Sequence, residues 1–132
     1  MSIQIVFPGG KKVDAIIDNH VVKSDQPIMG GGEDSAPSPF AIFLASIGNC
    51  AGIYALSFLQ QRGIPSEKLK IDLEPFYDHK KGIITKFNMI ISVPEEFPEK
   101  YENAIIKSVN LCAVKKHLLD EIEFNTIVKK VK

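Results

Sequence analysis

Between Ala41 and Leu59 the chain has no charged residue, and apolar side chains fall on every face of the helix this stretch would make. Such a helix must be surrounded by protein or by lipid, because an ordinary surface helix keeps one polar face. Ser38 is a good N-cap, Pro39 suits the first helical position, and Gly63 fits just past the last turn, so the punctuation predicts one long helix within 37–63. Cys50 sits at its middle. About 20 apolar residues can span a bilayer, but Ser46, Gly48, Asn49, Gly52 and Ser57 dilute the run and amphipathic strands flank it on both sides. These features favour a buried core helix and exclude the membrane as partner. Ala45, Gly48, Gly52 and Ala55 would give it a small-residue face that a second helix could approach closely.

Length then becomes a constraint. A chain of 132 residues makes one domain, 1–132, with a real core but little material to wrap such a helix on all sides. Self-association as a homodimer would supply the cover. Sixteen basic and sixteen acidic residues balance, and no basic cluster suggests a nucleic-acid footprint. The opening MSIQIVFPGGKK lacks the charged-then-apolar order of a signal peptide, which places the chain in the cytoplasm with its two cysteines reduced. Arg62 is the sole arginine; every other basic residue is Lys.

In chain order, Ile3, Ile5 and Phe7 alternate, Pro8-Gly9-Gly10 breaks the run, and Val13, Ala15 and Ile17 alternate again before Asp18-Asn19 turns into His20–Lys23. This predicts a three-stranded meander. Residues 24–37 are rich in Gly, Pro, Asp and Ser and read as a flexible connector, since Gly30-Gly31-Gly32 lacks the strand and helix context of a phosphate loop. After the long helix, Leu69, Ile71 and Leu73 alternate with charged residues to about Tyr77, 78–82 turn, and Thr85 to Val93 returns with period two. Pro98 leads a helix with Tyr101, Ile105, Val109 and Cys112 along one face. A short helix over Ala113–Leu119 and a strand over Phe124–Val131 complete the expectation of an α+β fold.

Cys50 and Cys112 are the only strong nucleophiles. Burial alone explains free cysteines adequately, but two of them also provide one thiolate to attack and one thiol to resolve the product as a disulfide. Lys115 and Lys116 follow Cys112 near the start of the short helix, an environment that lowers a thiol pKa. His20, His79 and His117 show no metal-ligand spacing with each other or with the cysteines, so neither metal nor other cofactor is expected. Phe40, Phe43, Ile47 and Tyr54 read as core positions, or as pocket lining if Cys50 reacts.

The segments Pro37-Ser38-Pro39-Phe40, Leu44-Ala45-Ser46-Ile47-Gly48-Asn49-Cys50 and Gly63-Ile64 resemble the signature of the osmotically inducible protein C (OsmC) and organic hydroperoxide resistance (Ohr) family. Cys112-Ala113-Val114-Lys115-Lys116 is similar to its second-cysteine motif, usually Cys-Pro-Val. The resemblance implies an intertwined homodimer, with long central helices packed together and antiparallel sheets wrapped outside. It also implies a thiol peroxidase in which Cys50 attacks an organic hydroperoxide, Cys112 resolves the sulfenic acid, and a dithiol reductant resets the pair.

One departure bears on activity. Peroxidase members usually carry a Glu three residues after the Ser or Asn that begins the long helix, where it orients an N-terminal Arg over the thiolate. Here that position is Ala41, and no Arg precedes Arg62. Twelve residues of helix put Arg62 roughly 18 Å from Cys50 along the axis, so it cannot serve the thiol of its own chain. Glu33, Lys11, Lys12 and Lys23 are the candidate substitutes, although Lys lacks the planar fork of Arg. Weaker peroxidase activity is therefore expected, with a non-peroxidatic dimer that binds a small apolar or thiol ligand as the alternative. Disulfide chemistry without peroxide specificity lies between them.

Overall fold

The computed structural model describes residues 1–118 and 122–130. It divides into two compact units, Met1–Ser46 and Ile47–Lys132.

The first unit is built on a three-stranded antiparallel meander. Strands β1 (Ile3–Gly9), β2 (Lys12–Ile17) and β3 (His20–Val22) pair in sequence order, with Ile3 opposite Ile17, Ile5 opposite Ala15 and Ala15 opposite Val22. Gly10 takes φ +59° at the first turn, a conformation that costs glycine little. The following loop is not the flexible connector its composition suggests. Asp25 is 1 % exposed, and its carboxylate accepts N–H bonds from Gln26 (2.8 Å), Glu33 (3.3 Å) and Ser35 (3.1 Å), as well as the Ser35 hydroxyl at 2.6 Å. The Asp25 amide donates to Pro37 O, joining the two ends of the loop. Gly32 is required by close approach: a Cβ there would meet Gln26 O at 2.1 Å. Ser24 completes the tie, its hydroxyl donating to Val13 O.

Helix α1 (Pro39–Gln61) begins where Ser38 places it, with the Ala41 N–H donating to Ser38 Oγ at 3.3 Å. It stops at a complete Schellman motif. Gly63 has φ +64°, its N–H bonds Gln60 O at 3.2 Å, and the Ile64 N–H bonds Leu59 O at 3.0 Å. Ile64 then folds onto the core that contains Leu59.

Within one chain α1 buries a single stripe, Ile47, Ala51, Ala55, Phe58 and Leu59. Full cover on all faces is not reached, because Phe40, Phe43 and Ile53 stay exposed. The small residues also divide. Ala55 lies in the core that also holds Ile105 and Val109 of helix α2 (Glu102–Val109), whereas the Cβ positions of Gly48 and Gly52 meet nothing within 4 Å.

In the second unit, β4 (Lys70–Asp78) and β5 (Ile83–Ser92) form a two-stranded antiparallel ribbon with Ile71 opposite Ile91 and Leu73 opposite Met89. Ile71, Met89 and Ile91 pack against the core of Ala51, Ala55, Phe58, Leu59, Ile105 and Val109. Burying a side chain such as Leu59 or Ile105 contributes about 1.5–3 kcal/mol. Pro98 leads first into a 3-10 turn, Glu99–Tyr101, and then into α2. Cys112 is not on the face of α2, as its spacing suggests; it falls in the turn before α3 (Ala113–Leu118). Leu119, the expected end of this helix, lies outside the described residues.

Residues 122–130 form no strand, contrary to their alternation. Phe124, Ile127 and Val128 are 83–92 % exposed. Alternation supplies a half-apolar face, but a strand also needs a partner edge, and among the described residues none pairs with it. Val131 lies outside the described residues.

Candidate thiol site

The two cysteines, far apart in sequence, meet between the middle of α1 and the start of α3. Cys50 is half-buried and Cys112 is fully buried, and both are free thiols. The buried stripe of α1 packs against α2, which fixes the short turn that presents Cys112. Cys112 serves as the N-cap of α3: its carbonyl accepts from Lys116 N–H at 3.3 Å and its Sγ from Lys115 N–H at 3.4 Å. The Lys115 ammonium is held by Asn110 Oδ1 at 2.6 Å.

The amides of Val114 and Ala113 are left without intrahelical partners at this helix start. The Val114 N–H holds the Cys50 thiol below its ordinary range; desolvation opposes this, and the Cys112 side chain and the Ala113 N–H lower it further. Hydrogen bonds to the charged form favour ionisation, so the thiolate is stabilised by peptide groups rather than by a side-chain cation. A half-exposed, acidified thiol beside a buried one can react with an electrophile from outside and then form a disulfide inside.

Of the other expected lining residues, Tyr54 borders a groove of about 690 Å³ between α1 and α2. Phe40 and Phe43 stack on each other at 5.8 Å between centroids and remain exposed, while Ile47 is buried. Arg62 is engaged locally. Its Cζ lies 3.5 Å from the Phe58 ring centroid, its Nη1 donates to Phe58 O at 3.1 Å, and the Tyr101 ring is 5.1 Å away. Lys12 and Glu33 bind each other at 2.8 Å, which raises the lysine pKa. Ala41 occupies the N3 position at the start of α1, so the Ser38 cap has no reciprocal carboxylate there. Among the described residues no group of three His, Cys, Asp or Glu side chains could hold a metal.

Sequence reasoning did not single out the Ala113 and Val114 amides, because a peptide N–H carries no residue signature. Asp25 was equally hidden as a structural anchor. An Asp that opens a Gly- and Ser-rich loop is the available signal for such side-chain-to-backbone bonding.

A model of the OsmC-like protein family matches residues 31–127. No curated protein matches the sequence significantly. Among solved structures, the fold is similar to a Psychrobacter arcticus 273-4 protein provisionally described as an osmotic stress induced and detoxification response protein, with TM-score 0.74, 16% identity, and 89% of this chain and 87% of that one covered. An OsmC like protein from Mycoplasma pneumoniae gives TM-score 0.68 at 18% identity, covering 89% and 86%. A Legionella pneumophila protein described as an organic hydroperoxide resistance protein OsmC, predicted redox protein and regulator of sulfide bond formation gives TM-score 0.52 at 15% identity, with 89% of each chain covered.

Proposed function

The chain belongs to the OsmC-like protein family, and on that footing we propose that it is a cytoplasmic, homodimeric thiol peroxidase that reduces organic hydroperoxides. The observation that carries this reading is the pairing of the half-exposed, acidified Cys50 with the buried Cys112. The Cys50 thiolate attacks the terminal peroxide oxygen, the O–O bond breaks, and the departing alkoxide takes a proton to leave as the alcohol. Cys50 is then a sulfenic acid. The Cys112 sulfur attacks the Cys50 sulfur, the S–S bond forms, and the hydroxyl leaves as water with the Cys112 proton. A dithiol reductant restores both thiols. The alkyl group is assigned to the stripe of α1 that carries Cys50, with Phe40, Phe43, Ile47 and Tyr54 as its lining.

Dimerisation is supported by the open Gly48 and Gly52 positions of α1, whose Cβ sites meet nothing within 4 Å. Helix α1 is also long and apolar enough to cross a membrane by length and composition. The burial of its Ile47-to-Leu59 stripe supports the core-helix assignment instead.

Ala41 and the engagement of Arg62 with Phe58 favour a slow enzyme, and they sustain a second reading: a non-peroxidatic dimer that binds a small apolar or thiol ligand. Loss of one fixed transition-state donor typically costs on the order of a hundredfold in rate. Dimedone labelling after a pulse of cumene hydroperoxide separates the two readings. The peroxidase assignment expects Cys112→Ser to accumulate labelled Cys50 and Cys50→Ser to remain unlabelled. Labelling in neither variant supports the second reading.

A further inference from the structure

The α1–α2 groove meets the proposed alkyl lining at Tyr54, and beyond it carries two cations that the thiol pair does not use. Cys50, Tyr54, Ser57 and Gln61 recur at i, i+4, i+7 and i+11 and so share one stripe of α1. The groove runs along the last three. Ile53, Tyr54, Phe58 and Leu111 provide apolar walls, and Arg62 and Lys107 also line it. Among the described residues its remaining lining is neutral, with no carboxylate. About 690 Å³ suits a single small ligand.

The cations are available for a ligand. Arg62 commits Nη1 to Phe58 O while its plane lies over the Phe58 ring, which orients the guanidinium and leaves other N–H donors uncommitted among the described residues. Lys107 has no ion pair or side-chain hydrogen bond among the described residues. A planar fork and an ammonium lining one groove match a carboxylate, and the apolar walls match an alkyl chain. The face of α1 proposed for dimerisation, with Ala45, Gly48 and Gly52, lies opposite the Tyr54–Ser57–Gln61 stripe at 100° per residue. Assembly through that face leaves the groove open.

We propose that this groove is a binding site for a single-chain aliphatic carboxylate, with the headgroup on Arg62 and Lys107 and the chain against Tyr54, Phe58 and Leu111. The site requires no reaction at Cys50.

The test is calorimetric titration of the reduced, full-length protein with dodecanoate, dodecyl phosphate, dodecanol and dodecylammonium, each below its micelle concentration. Dodecanoate is expected to saturate at one per chain, with dodecanol and dodecylammonium at least about tenfold weaker. Dodecyl phosphate binding tighter than dodecanoate would overturn the carboxylate assignment. Lys107→Glu and Arg62→Gln should each weaken dodecanoate about tenfold or more, whereas Lys86→Glu, on β5, should not. Thermal melts identify any variant that fails to fold, and Lys107→Gln then replaces Lys107→Glu. Equal affinity for dodecanol, wild-type affinity in both groove variants, or no saturable binding overturns the proposal. A saturated carboxylate carries no peroxide, so failure here leaves the peroxidase assignment standing, and failure of Cys50 to oxidise leaves this site standing.

Discussion

Cys112 caps the helix it precedes: its Sγ accepts the Lys115 N–H at 3.4 Å. The sulfur proposed to resolve Cys50 is therefore also a structural acceptor. Serine caps helices better than alanine, by about 0.5–2 kcal/mol. Cys112→Ser should accordingly melt close to the wild type and Cys112→Ala several degrees lower. Equal melting temperatures for the two variants in reduced protein would mean that the cap contributes nothing.

The thiolate-stabilising amides give a second expectation. Proline is accommodated at the first helical position, so Ala113→Pro removes one N–H facing Cys50 without breaking α3. A depressed thiol pKa keeps the thiolate populated as pH falls below the free-thiol range near 8.5, down to the folded value. The iodoacetamide rate at Cys50 should therefore stay high below pH 8.5 in the wild type. In Ala113→Pro the midpoint should move up slightly and the rate at pH 7 should fall, with unchanged circular dichroism, the Val114 amide remaining as the larger contributor. An unshifted midpoint would exclude the Ala113 amide from thiolate stabilisation.

Asp25 predicts a pH-dependent stability. The Ser35 hydroxyl, followed by the Gln26 amide, holds its pKa down to about 2, against about 3.9 for an unfolded Asp. A depressed carboxylate stabilises the fold above the unfolded value, and that contribution is lost as pH falls through the folded one. Asp25→Asn should lower the melting temperature at pH 7 by several degrees, with the gap to wild type closing between about pH 4 and pH 2. A gap independent of pH would assign the loss to packing rather than charge.

The long helix and the β4–β5 ribbon were legible because their signals are local. Ser38 and Gly63 mark helix ends by cap chemistry, and the alternation at Ile71, Leu73, Met89 and Ile91 states which ribbon face is buried. The thiol pair was legible as two residue types and, through the resemblance of their motifs, as partners; the amides that face Cys50 were not, since its meeting with the 112–114 turn depends on the packing of Ala51 and Ala55 with Ile105 and Val109. Loop 24–37 was misread because a side chain that satisfies backbone amides leaves no periodicity. The apolar alternation at Phe124 and Ile127 was misread for the opposite reason: periodicity was present and a pairing edge was not.

Gly48 sits on open space in the single chain, with nothing within 4 Å of its Cβ position. Gly48→Leu should therefore leave the monomer fold intact but overpack the proposed helix–helix interface, a change that typically costs 1–3 kcal/mol. Light scattering at micromolar concentration should give a dimeric mass for the wild type and a lower average mass for Gly48→Leu. A monomeric wild type would remove the dimer; a fully dimeric variant would move its interface elsewhere.

The central claim is that Cys50 and Cys112 form one redox unit driven by organic hydroperoxide. Intact mass spectrometry of the reduced protein after one equivalent of cumene hydroperoxide tests it most directly. The expected product is a chain lighter by two hydrogens, with a disulfide-linked Cys50–Cys112 peptide pair after non-reducing digestion. An unchanged mass, or Cys50 oxidised to a sulfinic acid while Cys112 stays free, would contradict it.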